Sequence, residues 1–239
     1  MLPKLELVAA SAEAVELAVK HQLDRVELCQ DLDQGGLTPS AGFISFAVAQ
    51  KIETHVLIRP RAAGFHYSES EMRIMEKDIE LAGKMGVKGV VIGTLQANFD
   101  LDKVSLSRLA KAAKGLDVTC HRAFDESIDW QKSIDTLIQL GFKRILTSGF
   151  AANVNLGLNN IKQMRAYAGN QIEIMPGGGV NASNIQKILE VVEPTSIHFS
   201  GAVKTLIDEE SAFSETMLKV EEKRIQRLVE LVKGYYQKN

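Results

Sequence analysis

Asp117-Val-Thr-Cys-His-Arg-Ala-Phe-Asp125 is a short β-branched run that ends in side chains able to handle protons and anions. In an extended strand successive side chains alternate faces, so Val118 and Cys120 share an apolar face while Thr119 and His121 share a polar one. The apolar face has to pack against something, and helices are the natural cover. His121 then points toward whatever the strands enclose, with Arg122 and Asp125 just beyond the strand end.

Runs of the same kind recur at 4–9, 25–29, 55–59, 89–93, 144–148, 171–175 and 196–200, making eight with 117–121. Amphipathic stretches follow each of them, near 12–21, 40–51, 70–85, 103–114, 130–140, 157–168 and 182–192, with a last helix over about 214–237. Ser68 with Glu71 forms a capping box, Thr38 precedes a first-turn proline, and Gly86, Gly141 and Gly169 fall where helices should stop. Eight βα units in 239 residues, at roughly thirty residues each, predict a (β/α)8 TIM barrel forming a single domain over 1–239 rather than an open doubly wound sheet.

Composition agrees with that class. Hydrophobic residues make up 45% and charged residues 24%, enough for one sizeable core. A net charge of −2 gives no broad attraction to nucleic acid or to an anionic membrane. No apolar run approaches the ~20 residues of a membrane span, and the amino-terminal residues carry no basic-then-apolar leader, so the chain reads as cytoplasmic. The two cysteines, Cys29 and Cys120, form no CxxC pair and are expected to stay reduced.

In such a barrel chemistry sits at the C-terminal ends of the strands. Strand parity sends Leu5, Leu7, Val26, Leu28, Val56, Ile58, Ile172, Ile174, Ile197 and Phe199 toward the helices. It sends Glu6, Arg25, Glu27, Arg59, Thr119, His121, Glu173, His198 and Ser200 inward, where arginine–glutamate pairs, Arg59 among them, are expected to neutralise buried charge. Cys29 shares the inward parity and Cys120 the outward one. Two long loops, 30–40 and 61–69, could cover the mouth. The glycine run Gly177-Gly178-Gly179 after the seventh strand, with Ser200-Gly201 after the eighth, lies where many barrels bind phosphate.

Arg25-Val-Glu-Leu-Cys29, Gly35-Gly-Leu-Thr-Pro-Ser40, Ile58-Arg-Pro-Arg61, Phe65 with Tyr67-Ser68, Met75 with Asp78-Ile79, His121-Arg-Ala-Phe-Asp125, Leu146-Thr-Ser-Gly149, Gly177-Gly-Gly-Val180, and His198 with Ser200 together resemble the copper homeostasis protein family CutC. The resemblance runs over about 4–203. It implies a TIM barrel, a cytoplasmic location, a link to Cu(I) handling and self-association, with a dimer the expected form. Ala62-Ala63-Gly64 departs from the family pattern, which usually has glycines and an aspartate there, and Cys120 stands where the family often has phenylalanine.

Two functional readings follow. One is a copper-associated protein, with Cys29 and His198 as candidate ligands for Cu(I), a soft ion that prefers thiolate and imidazole. The other is an enzyme or sensor for a small anionic metabolite. There Glu27 and His121 would transfer protons, Arg59, Arg61 and Arg122 would clamp the anion, and Ser148, Gly177, Gly178, His198 and Ser200 would complete the site.

Overall fold

The computed structural model describes residues 2–206 and 216–238. Eight parallel strands run β1 (Lys4–Ala9), β2 (Arg25–Leu28), β3 (Glu53–Leu57), β4 (Gly89–Ile92), β5 (Asp117–Cys120), β6 (Arg144–Thr147), β7 (Glu173–Pro176) and β8 (Ser196–Phe199). Each neighbours the next in sequence, β1 also pairs with β8, and β7 lies against β8, bringing the sheet round into a TIM barrel. Helices α1 (Ala12–Lys20), α2 (Ala41–Ala49), α3 (Glu69–Lys84), α4 (Lys103–Ala112), α5 (Trp130–Gln139), α6 (Val154–Ala168) and α7 (Ile185–Val192) cover the outside.

The helices begin where side chains can satisfy the first free amides. Ser68 and Glu71 make the expected reciprocal box at α3, and Asp102, Asp129 and Asn153 cap α4, α5 and α6. Thr38 does not cap α2. Ser40 does, because Thr38 is bound to the end of the third strand: its hydroxyl accepts from Arg59 N at 2.8 Å and its amide donates to Arg59 O at 3.0 Å.

The expected final helix is shorter at its start. Thr216–Val220 is a strand, β10, paired antiparallel with β9 (Ala202–Leu206), and α8 covers Glu222–Lys238. Partners across the hairpin, with Glu221 N donating to Gly201 O at 2.9 Å, give this backbone a ladder in place of helical bonds. Residues 214 and 215 of the expected helix lie outside the described residues.

Parity holds around the wall. Leu7, Val26, Leu28, Val56, Ile58, Val90, Ile92, Cys120, Ile145, Ile174 and Ile197 join the helices in the main core. Cys29 instead packs inside the barrel with Leu57 and Val91. The two thiols are free, one on each side of the wall.

The lower half of the barrel interior is ionic rather than aliphatic. Glu6, opposite Arg25 and His198 in the ladders, is hydrogen-bonded by Arg25 Nε, and Arg25 Nη1 reaches Glu53 Oε1 at 3.3 Å. Arg144 donates to Glu173 (3.1 Å), Asp117 (3.2 Å) and Thr119 (3.1 Å), while His55 Nε2 lies 3.2 Å from Glu53. The interior arginine–glutamate pairs are therefore Arg25 with Glu6 and Glu53, and Arg144 with Glu173. Arg59 is in none of them, since its Nη nitrogens turn to backbone carbonyls. Glycines on β4 make room for the imidazoles: a Cβ on Gly89 would stand 2.5 Å from the His55 ring.

Candidate functional site at the barrel mouth

At the C-terminal end of the barrel the interior opens into a cavity of about 140 Å³ lined by Glu27, Cys29, Arg59, Phe65, His121, Arg122 and His198, with Val8, Leu57 and Leu146 as apolar wall. The inward parity of β2, β3, β5 and β8 brings the polar groups there. A shallower vestibule of about 440 Å³, bounded by Arg59, Phe65, Arg122, Asp125 and Phe150, lies outside it.

Each side chain is held by a different device. His121 ends β5 and caps the short 3-10 turn Arg122–Glu126: its Nδ1 accepts from Ala123 N at 3.1 Å. A Cβ on Gly93 would come within 2.5 Å of the imidazole, so the ring lies against the bare backbone at the end of β4. Phe65 covers its other side, with centroids 4.8 Å apart. Arg59 donates from Nη1 to Gln34 O (2.7 Å) and Gly36 O (2.9 Å) and from Nη2 to Ala63 O (2.7 Å), and so ties both long mouth loops to β3. Ala63 has φ +70°, the backbone state that glycine adopts without cost, and its carbonyl is the one that Arg59 holds.

Arg122 is braced by Asp125 (2.9 Å) and Ser148 Oγ (2.7 Å). Asp125 in turn accepts from Thr147 Oγ1, Ser148 N (2.9 Å) and Phe150 N (3.2 Å), which fixes the loop after β6.

The floor is the group Glu6, His198 and Glu27, whose ligand atoms lie within 4.8 Å of one another. His198 Nδ1 is 2.7 Å from Glu6 Oε1 and 3.7 Å from Glu27 Oε2. Burial opposes charge on His198, but the carboxylates of Glu27 and Glu6 outweigh it and raise its pKa. Burial likewise opposes charge on Glu6, yet the hydrogen bond from His198 and the charges of Arg25 and His198 hold it far below the usual carboxylate range. Glu27 has no such bond. Burial raises it to about 7, with His198 pulling the other way.

Across the cavity, burial and then the charge of Arg59 push His121 down to about 3, so it is a neutral imidazole at physiological pH. The Cys29 thiol is pushed up to about 12 by burial and by Glu27. Among the described residues, six buried polar atoms lack a hydrogen bond: Glu27 Oε2, Arg59 Nε and His121 Nε2 belong to residues of this one cavity, Tyr67 Oη to a mouth loop, and His55 Nε2 and Ser196 Oγ to the lower interior. Native structures rarely leave such atoms unpaired, because each costs about 1–3 kcal/mol.

Six residues expected at the site, Glu27, Cys29, Arg59, His121, Arg122 and His198, do meet in this cavity. The others are elsewhere. Arg61 lies on the rim, pinned to Glu71 and to the carbonyls of Ala62 and Gly64. Ser148 is buried behind Arg122. Gly177 packs against Leu146 and His198, and Gly178 against Ser148 and Arg122. Ser200 borders a separate surface cavity of about 520 Å³ with Gly179, Ser183 and Arg224. Sequence reasoning missed the roles of Phe65 and Gly93, which hold the His121 ring between them. Only a glycine at the inward position ending the fourth strand could have signalled it.

The sequence profile of the CutC family matches residues 3–203. The chain belongs to the CutC family. It is 43% identical over 210 residues to the family protein CutC of Glaesserella parasuis, covering 86% of each chain, and 43% identical over 199 residues to that of Bacteroides thetaiotaomicron, covering 82% and 80%. The crystal structure of CutC from Streptococcus agalactiae, a protein named for copper homeostasis, superposes with a TM-score of 0.79 at 38% identity, covering 83% of this chain and 98% of that one. Phosphoribosylanthranilate isomerase from Thermotoga maritima, at 15% identity and a TM-score of 0.62, shares the barrel alone. Among the described residues no helix is long and apolar enough to cross a membrane.

Proposed function

We propose that this CutC-family barrel acts in the cytoplasm on a small anionic metabolite held at its mouth, with Glu27 and His121 as the proton-handling pair. One observation carries the reading. Glu27, Arg59 and His121 come from three different strand ends, and each leaves a buried polar atom unpaired around one cavity. A ligand with both donors and acceptors would complete all three.

Arg122 supplies the accessible positive charge at the rim. Arg59 adds its charge from the cavity wall, its Nη nitrogens being committed to the loops.

Copper fits the donor set less well. Cu(I) needs soft, deprotonated ligands, and the cavity offers a single thiol that its surroundings hold protonated. Glu6, Glu27 and His198 are close enough to share an ion, but two are hard carboxylates and Glu6 is already bound by Arg25. A role in copper homeostasis through this site would then be indirect, through the metabolite.

Native mass spectrometry of the purified protein tests the proposal. An organic anion retained by the wild type and by Cys29→Ser but lost from His121→Leu supports it. One Cu(I) per chain, lost from Cys29→Ser alone with no organic ligand in any sample, overturns it.

A further inference from the structure

The hydrogen bond to His121 Nδ1 settles more than the ring's orientation. A neutral imidazole has one protonated nitrogen and one bare one. Ala123 N–H donates to Nδ1 at 3.1 Å, so Nδ1 is the bare nitrogen and the proton is on Nε2. Nε2 is buried, has no partner, and belongs to a ring that walls the cavity. His121 is thus a fixed, uncharged hydrogen-bond donor. On the same cavity Glu27 has an unpaired carboxyl oxygen, 3.7 Å from His198 Nδ1. A neutral donor and an unpaired carboxyl on residues that line one cavity, with a cationic rim, suit a reaction in which a proton leaves carbon while negative charge grows on a nearby oxygen.

We propose that the mouth is an enolisation site for small α-hydroxy-oxo compounds bearing a carboxylate or phosphate: Glu27 takes the proton from the carbon beside the carbonyl, and His121 Nε2–H holds the carbonyl oxygen. This rests on the anionic-metabolite reading and adds the substrate class and the reaction.

The step balances without a redox partner. The C–H pair becomes the C=C bond of an enediolate, the carbonyl π pair moves to oxygen, and the proton resides on Glu27. Its return to the same carbon restores the compound. Its return to the neighbouring carbon, with the hydroxyl proton passing to the other oxygen, exchanges the positions of carbonyl and carbinol. Asp125 and Ser148 act only through Arg122, as positioning residues for the anionic end. The apolar wall of Val8, Leu57, Leu146 and Phe65 keeps the carbanionic face away from water. Glu27 faces Glu6 from β1, His198 from β8 and Arg25 from its own strand. It stands near neutrality, where a carboxyl can both accept and return a proton at working pH.

The probes are hydroxypyruvate and dihydroxyacetone phosphate in D2O, with deuterium entry at the carbon beside the carbonyl followed by proton NMR and binding of the same compounds measured by equilibrium dialysis. The wild type should accelerate exchange of at least one probe tenfold or more over buffer, rising with pH as Glu27 ionises. Glu27→Gln should lose the exchange while keeping the binding. His121→Gln, which retains a side-chain N–H donor, should keep more of the exchange than His121→Leu.

Binding by the wild type without exchange overturns this inference and leaves the binding proposal standing. Absence of both binding and exchange overturns the two together. Exchange undiminished in Glu27→Gln also overturns the inference.

Discussion

The lower and upper halves of the barrel interior contain the same residue types and use them in opposite ways. Below, Arg25 is bound to Glu6 and Glu53 and Arg144 to Glu173, so the charges are consumed by their partners, and only the neutral groups His55 Nε2 and Ser196 Oγ lack a hydrogen bond. Above, Glu27, Arg59 and His121 line one cavity and each leaves a buried atom unpaired, although Glu27 and Arg59 only follow Arg25 and Glu53 further along the second and third strands. A buried ionisable residue says little by itself about function. Whether its hydrogen-bonding capacity is filled by the protein separates a strut from a site.

The largest expected effect falls in the lower half. Arg25→Met would leave the Glu6 carboxylate buried beside His198 without its main countercharge, and should cost on the order of 3–5 kcal/mol by chemical denaturation. A loss under about 1 kcal/mol would show that the lower network is no strut.

Glu27 should behave differently. Its folded pKa of about 7 lies above the ordinary 4.5, so the protonated carboxyl contributes stability in full below pH 4.5, and that contribution is lost as pH rises through 7. Relative to Glu27→Gln, the wild type should lose roughly 3 kcal/mol between those limits, at about 1.36 kcal/mol per pH unit. Parallel pH–stability curves for the two proteins would contradict the raised pKa.

Arg59→Met sharpens the contrast further. No carboxylate is stranded by it, because Arg59 binds the carbonyls of Gln34, Gly36 and Ala63. The expected cost is about 1–3 kcal/mol, with faster amide hydrogen exchange confined to the loops 30–38 and 61–67. Exchange that rises across the whole barrel would place Arg59 in the structural half after all.

The smallest effect is at Ala63, at φ +70°. Ala63→Gly relieves a left-handed alanine but frees the unfolded chain, and should raise stability by less than about 1 kcal/mol. A destabilisation would mean that the methyl group itself packs in the loop.

The sequence carried the barrel because period-two and period-3.6 patterns alternate without interruption from Lys4 to Phe199, and those patterns are local. Parity carried the cavity as well, since a strand's inward positions are fixed once its outward ones are known. It placed Glu27, His121 and His198 correctly, and separated Cys29 from Cys120. What parity cannot express is partnership. Arg59 was expected to meet a glutamate, yet the carbonyls of two loops lie nearer, and loop paths are not periodic. Arg61 and Ser148 were expected in the site for the same reason and are taken up by Glu71, Arg122 and Asp125. Ser200, past the end of β8, follows the hairpin rather than the barrel axis. That strand pair was missed altogether, because the partners of Thr216–Val220 are the residues Ala202–Leu206, apart from them in the sequence.

The difference between the halves can be read on two imidazoles in one experiment, a pH titration of the protein with 15N-labelled histidine followed by NMR. His198, between two carboxylates, should keep its proton to a pH above the ordinary 6.5, whereas His121 should stay neutral from pH 5 to 8 with its hydrogen on Nε2. Hydroxypyruvate should shift the His121 Nε2 signal and leave His55, beside Glu53 at the opposite end of the barrel interior, unmoved. A His121 that titrates near 6.5, or carries its hydrogen on Nδ1, would contradict the reading of the mouth as a preformed neutral donor facing an open site.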